Sequence, residues 1–169
     1  DAAYVWAVTT KSARWIKLDH GAAAIARHVA KLRCGLDAKR WHAETGPSCG
    51  QLLPADTRRG RWLPFDLAAA HALWKILLGP LEAETAGKDL LVVPSGALTT
   101  LPFSVLVTKE PATAFPDALD GYRKAAWLGT RQPMTVLPSA GALQSLRQFA
   151  RESRARRAYL GVGNPLLDG

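Results

Sequence analysis

A chain of 169 residues, 48% hydrophobic and 21% charged, has the composition of a folded domain, and this excludes disordered and fibrous classes. No run approaches the roughly 18 apolar residues of a membrane span, and Asp1-Ala2-Ala3-Tyr4 is not a basic-then-apolar leader, so a cytoplasmic setting without membrane contact is expected. The formal charge of +8 raises nucleic acid as a partner, but the cations are dispersed and not interleaved with aromatics on one module, which disfavours it.

Tyr4-Val5-Trp6-Ala7-Val8-Thr9 and Arg14-Trp15-Ile16-Lys17-Leu18 alternate in the strand period around Thr10-Lys11-Ser12, which predicts a β-hairpin. Residues 22–36 carry Ile25, Val29, Leu32 and Leu36 at helical spacing, with Gly35 where helices commonly stop. Residues 37–64 are rich in Gly, Pro, Arg and Asp and include Arg58, Arg59 and Arg61; they read as an irregular insertion or long loop. Asp66 is placed to cap a helix whose stripe is Leu67, Ala70, Leu73, Trp74, Leu77, Leu78 and Leu81, bent or ended near Gly79-Pro80.

Leu90-Leu91-Val92-Val93 is an uninterrupted apolar run and predicts a central parallel strand buried on both faces. Leu91 and Val93 are accordingly expected in one core with Leu73, Leu77 and Phe103. Pro102 excludes a regular helix over 97–106, where Leu98, Leu101, Phe103 and Leu106 are expected to pack under a loop. A surface loop over 109–122 follows, then a short strand Met134-Thr135-Val136-Leu137 ending at Pro138. Ser139 can cap a helix from 140 to about 151, with Arg147, Arg151 and Arg154 on the face opposite Leu143, Leu146 and Phe149. Residues 157–162 predict a last strand, turned away by Gly163-Asn164-Pro165. The alternation describes one α/β domain over 1–169 with a mixed sheet flanked by helices.

Chemistry-bearing residues are few. Ser95 follows a strand but lacks both glycines of a nucleophile elbow, and a turn serine is the plainer reading. Gly161-Val162-Gly163 lacks the third glycine of a dinucleotide loop. Cys49 with His42 is conceivable as a thiolate–imidazole pair, yet the segment offers no rigid frame; Cys34 reads as a small buried residue, and without a C-x-x-C pairing zinc is disfavoured. His20 is expected in a loop, and His28 and His71 on helices as packing or surface residues. Trp6, Trp15, Trp41, Trp62, Trp74 and Trp127 are expected as core or interface anchors. No residue is assigned a catalytic, cofactor-binding or metal-binding role.

The series Leu90-Leu91-Val92-Val93-Pro94-Ser95-Gly96-Ala97-Leu98, Leu101-Pro102-Phe103 with Leu106, Leu137-Pro138-Ser139 with Leu143, and Gly163-Asn164-Pro165 resembles the CHAT family in order and spacing. Tyr4-Val5-Trp6-Ala7-Val8 and Leu32-Arg33-Cys34-Gly35-Leu36-Asp37 look like the start of such domains, so the resemblance covers nearly the whole chain. Ser95 departs from the Asp more usual in the family's Pro-Asp-Gly turn. The resemblance implies a caspase-like α/β fold related to separase, incomplete here at its C-terminus, in proteins that usually carry tetratricopeptide repeats upstream. Competent members are cysteine peptidases whose His-Gly and Cys motifs follow the segment matching Gly163-Asn164-Pro165; His20-Gly21 falls far too early to be that His-Gly. The implied function is therefore the non-catalytic N-terminal part of a peptidase domain, partnered by its C-terminal catalytic half and a protein substrate. The alternative is a protein- or nucleic-acid-binding module without catalysis.

Overall fold

The computed structural model describes residues 2–42, 47–55, 57 and 62–149. The chain divides into two compact units, Asp1–Pro138 and Ser139–Gly169. The first begins with strands β1 (Tyr4–Val8) and β2 (Ala13–Lys17), paired antiparallel with Trp6 opposite Trp15. Thr9 closes the tip: its amide donates to the Ser12 carbonyl at 2.8 Å, and its hydroxyl accepts from the Ser12 amide at 2.9 Å. Alternation then divides the hairpin, with Val5 and Ile16 packed on the core while Tyr4, Trp6, Val8 and Trp15 face outward.

Helix α1 (Ala22–Arg33) buries Ile25, Val29 and Leu32, as its periodicity predicts. Leu36 lies beyond the helix end and is exposed, so the stripe stops a turn earlier than expected. Gly35 owes its identity to close approach: a Cβ there would stand 2.5 Å from Phe65 Cα and 2.6 Å from Phe65 Cβ. Short helix α2 (Cys49–Leu52) starts at a capping box formed by Ser48 and Gln51.

Helix α3 (Leu67–Leu77) is the centre of the unit, with Leu67, Ala70, Leu73, Trp74 and Leu77 all buried. Asp66 caps it, accepting the Ala69 amide at 2.8 Å, and its other carboxylate oxygen meets Lys31 Nζ at 3.1 Å. One buried carboxylate thus ties the start of α3 to the flank of α1. The helix ends where expected, in a tight 3-10 turn Gly79–Leu81 followed by α4 (Glu82–Thr85).

Strand β3 (Leu90–Val92) pairs in parallel with β4 (Met134–Val136), Leu90 opposite Met134. Here the expectation of a central strand buried on both faces is overturned. Leu91 is 49% and Val93 47% exposed, while Val92 packs against the core. Among the described residues β3 has a strand on one side only and packing on one face only, and an apolar run does not reveal which faces are covered. Leu73, Leu77 and Phe103 share the core; Leu91 and Val93 do not. The fold is α/β with helices beside small sheets, but among the described residues the hairpin and the parallel pair are two separate two-stranded sheets rather than one mixed sheet.

Between the strands, Pro102 separates two 3-10 turns, Gly96–Thr100 and Phe103–Val105, and Leu101, Phe103 and Leu106 are buried beneath α1 and α3. The expected surface loop contains a short helix, α5 (Leu119–Arg123). It is fastened at its base by Thr108 N to Ala126 O at 2.8 Å, and by Leu128 N, at the start of α6 (Leu128–Arg131), to Leu106 O at 2.7 Å. The Tyr122 hydroxyl donates to the Phe65 carbonyl at 3.1 Å and accepts from the Phe65 amide at 3.2 Å.

In the second unit, α7 (Ala140–Phe149) begins with Ser139 Oγ accepting the Ala142 amide at 3.0 Å. The sequence-predicted strand at 157–162, the turn at Gly163-Asn164-Pro165, Arg151, Arg154, and the loop cations Arg58, Arg59 and Arg61 lie outside the described residues. No helix among the described residues is long and apolar enough to cross a membrane.

Candidate functional site

The structure resolves the cysteine question by joining the two residues that the sequence keeps apart. Cys34, just past α1, and Cys49, opening α2, form a disulfide with Cα atoms 5.6 Å apart, and both are fully buried. Around it gather Leu52, Leu53 and Phe115, together with Trp41, whose indole N–H donates to the Cys34 carbonyl at 2.9 Å. The conceivable Cys49–His42 pair is therefore not formed: the Cys49 sulfur is bonded to Cys34, and His42 is exposed at the end of the 3-10 turn Ala38–His42. A thiolate is the nucleophilic form of cysteine, and a cystine sulfur is not one.

Ser95 stands exposed between β3 and the turn Gly96–Thr100, and its side chain makes no capping hydrogen bond. Gly96 after it adopts φ +56°, the left-handed conformation that the Pro-Ser-Gly turn demands of its glycine. Among the described residues no hydrogen bond joins Ser95 to a histidine, and a serine hydroxyl is a weak nucleophile without an adjacent base.

The histidines are dispersed. His71 is structural: its Nδ1 lies 3.0 Å from the Val107 carbonyl, which can only accept, so Nδ1 carries the proton, and its ring stacks on Trp74 at 5.7 Å. His20 is exposed. His28 on α1 is the perturbed one, with Nδ1 buried and unpartnered. Burial, helped by the neighbouring charges of His20 and Lys31, lowers its pKa from the ordinary 6.5, Asp66 opposing and Arg27 assisting. A base whose folded pKa lies below its unfolded value holds fewer protons folded than unfolded as pH drops through that window, so stability falls with pH there. Urea midpoints measured as pH falls below 6.5 should decline, and His28→Gln should flatten the decline. An unchanged slope in the variant would assign the effect to other groups.

The tryptophans divide by environment. Trp74 is buried, Trp127 packs on Phe65 with centroids 5.6 Å apart, and Trp6, Trp15 and Trp62 are exposed. A shallow cleft of about 430 Å³ runs between β2 and the end of α3, lined by Ile16, Lys17, His20, Lys75, Ile76 and Pro80. Leu18 and Asp19 complete the lining, so its polar groups are Lys17, Asp19, His20 and Lys75. Among the described residues no group of three or more His, Cys, Asp or Glu could hold a metal ion.

The described surface includes a partly exposed parallel strand pair and an aromatic hairpin face. No curated protein and no solved structure matches the chain. A family match does exist, to the CHAT domain over residues 67–169. It begins at the first residue of α3 and takes in β3, the Pro-Ser-Gly turn, both 3-10 turns around Pro102, and β4, leaving the hairpin and α1 outside it. Because that match spans more than half of the sequence, the chain belongs to the CHAT domain family.

Proposed function

We propose that this chain is the framework portion of a caspase-like cysteine peptidase domain, with the histidine and cysteine that hydrolyse the peptide bond supplied from outside these 169 residues. Family membership supports the domain type. The observation that carries the division of labour is the Cys34–Cys49 disulfide, since the sequence holds two cysteines and both sulfurs are bonded to each other. Peptide hydrolysis by a cysteine enzyme needs a thiolate beside an imidazole, and neither sulfur provides one. In this reading the partners are the catalytic half of the same domain, a protein substrate, and tetratricopeptide repeats carried upstream.

Two measurements test the proposal. The chain, incubated with a fluorogenic peptide library and a thiol-reactive probe, should show no turnover above a Cys34→Ser/Cys49→Ser control, with or without reductant; turnover that the control abolishes would make this chain the enzyme. The gene should also encode a His-Gly and a Cys beyond Gly169. A gene lacking both would leave the binding module as the better reading, one that the exposed rings of the hairpin favour independently.

A further inference from the structure

The outer face of the β1–β2 hairpin exposes what proteins ordinarily cover. Trp6 is 66%, Trp15 55%, Tyr4 50% and Val8 74% exposed, all on one side of the ribbon. Trp15 bridges the rings, with centroids 5.8 Å from both Tyr4 and Trp6, so the patch is continuous rather than scattered. Single exposed apolar residues are ordinary; a contiguous group of Trp and Tyr has the composition of binding hot spots.

The platform is also rigid before anything binds. Thr9 and Ser12 lock the tip, Leu18 N donates to Ala3 O at 2.9 Å beyond the strands, and Arg14 reaches Glu84 of α4 at 2.6 Å. A partner would not have to order it, which removes one cost of association.

Charge and shape select the partner. Residues 4–17 contain Lys11, Arg14 and Lys17 and no carboxylate. Glu84 occupies Arg14, whereas Lys17 stands opposite Tyr4 on the aromatic face and Lys11 sits at the tip. The centre is apolar and the rim cationic. The rings touch one another at tilts of 34° and 59°, and Val8 and Ala13 extend the patch with aliphatic groups, so the surface is built for apolar packing rather than for bases stacked on separate rings. An antiparallel ribbon can leave its outer face to water when that face is polar, whereas an apolar outer face is buried against a further layer, and a helix is one element that covers a sheet face. A five-residue strand spans about 17 Å, which matches three helical turns at about 16 Å.

We propose that this face docks an amphipathic helix of a partner protein, apolar along one stripe and bordered by Asp and Glu. The docking is independent of whether the chain serves a peptidase. The probe is a fluorescein-labelled helical peptide of about five turns, with leucines at i, i+3, i+4 and i+7 and glutamates beside them. It should bind about tenfold more tightly than the same peptide with lysines in place of the glutamates. Trp6→Ala and Trp15→Ala should each weaken binding about tenfold at unchanged melting temperature, because both rings are exposed. Lys17→Glu should narrow or reverse the preference between the two peptides. Equal affinity for both peptides, no binding of either, or binding untouched in both tryptophan variants would overturn the proposal. So would tighter binding of a uridine oligonucleotide or of phosphatidylglycerol vesicles than of the acid-flanked peptide.

Discussion

Leu73→Ala should lower the unfolding free energy by about 2–5 kcal/mol. Leu73 is fully buried in the middle of α3, within the cluster that joins α1, α3 and the turns around Pro102. Truncation removes the transfer energy of its methyl groups and leaves a cavity that two packed helices cannot collapse. Leu91→Ala is the instructive comparison. With 49% of its surface already exposed, it forfeits only part of that transfer term and opens no cavity, so a cost under about 1 kcal/mol is expected. Urea unfolding of the two variants separates the cases, and equal losses would place β3 inside a covered sheet.

Cys34→Ser/Cys49→Ser should destabilise by about 3 kcal/mol, since the crosslink closes a loop of 15 residues in the unfolded chain. Loss of packing around Leu53, Leu52, Trp41 and Phe115 adds to this. Unfolding of the wild type in dithiothreitol should shift its midpoint to that of the variant. A midpoint indifferent to both treatments would mean that the sulfurs are not joined in solution. The pair also bears on location: structural disulfides persist in oxidising compartments and are rare in the cytosol, so its redox state tests the cytoplasmic setting expected from the sequence. Rapid alkylation of freshly lysed cells would report its native state.

What was legible in the sequence was local. The hairpin, the helices α1 and α3, the Asp66 and Ser139 caps and the stop at Gly79-Pro80 each follow from a few neighbouring residues and stand where the sequence puts them, save that the α1 stripe ends before Leu36. What escaped depends on residues far apart in the chain. Two cysteines without a motif spacing say nothing of each other until α1 and α2 bring them together. Gly35 sits where helices commonly stop, but its φ is not positive, and the reason for glycine is Phe65, thirty residues on. An apolar run such as Leu90-Leu91-Val92-Val93 reports apolar content and not what lies across from it, so the exposure of Leu91 and Val93 is not legible there. The site suffered most from this limit. Its sequence signals were absences, and only the disulfide turned one of them into a positive statement about the thiols.

The parallel pairing of β3 with β4 has a consequence for how the polypeptide is made. The hairpin can close within about 1–10 μs of its residues becoming available, because its rungs connect near neighbours. Leu90 cannot meet Met134 until everything between them has been synthesised, and at about 5–20 residues per second that leaves the edge of β3 without a partner for seconds on the ribosome. Throughout that interval Leu90-Leu91-Val92-Val93 is an apolar, β-compatible segment with open backbone groups, the kind that pairs with a neighbouring nascent chain. Inclusion-body formation during overexpression should therefore originate at β3, and translation slowed by cold would lengthen the exposure rather than relieve it.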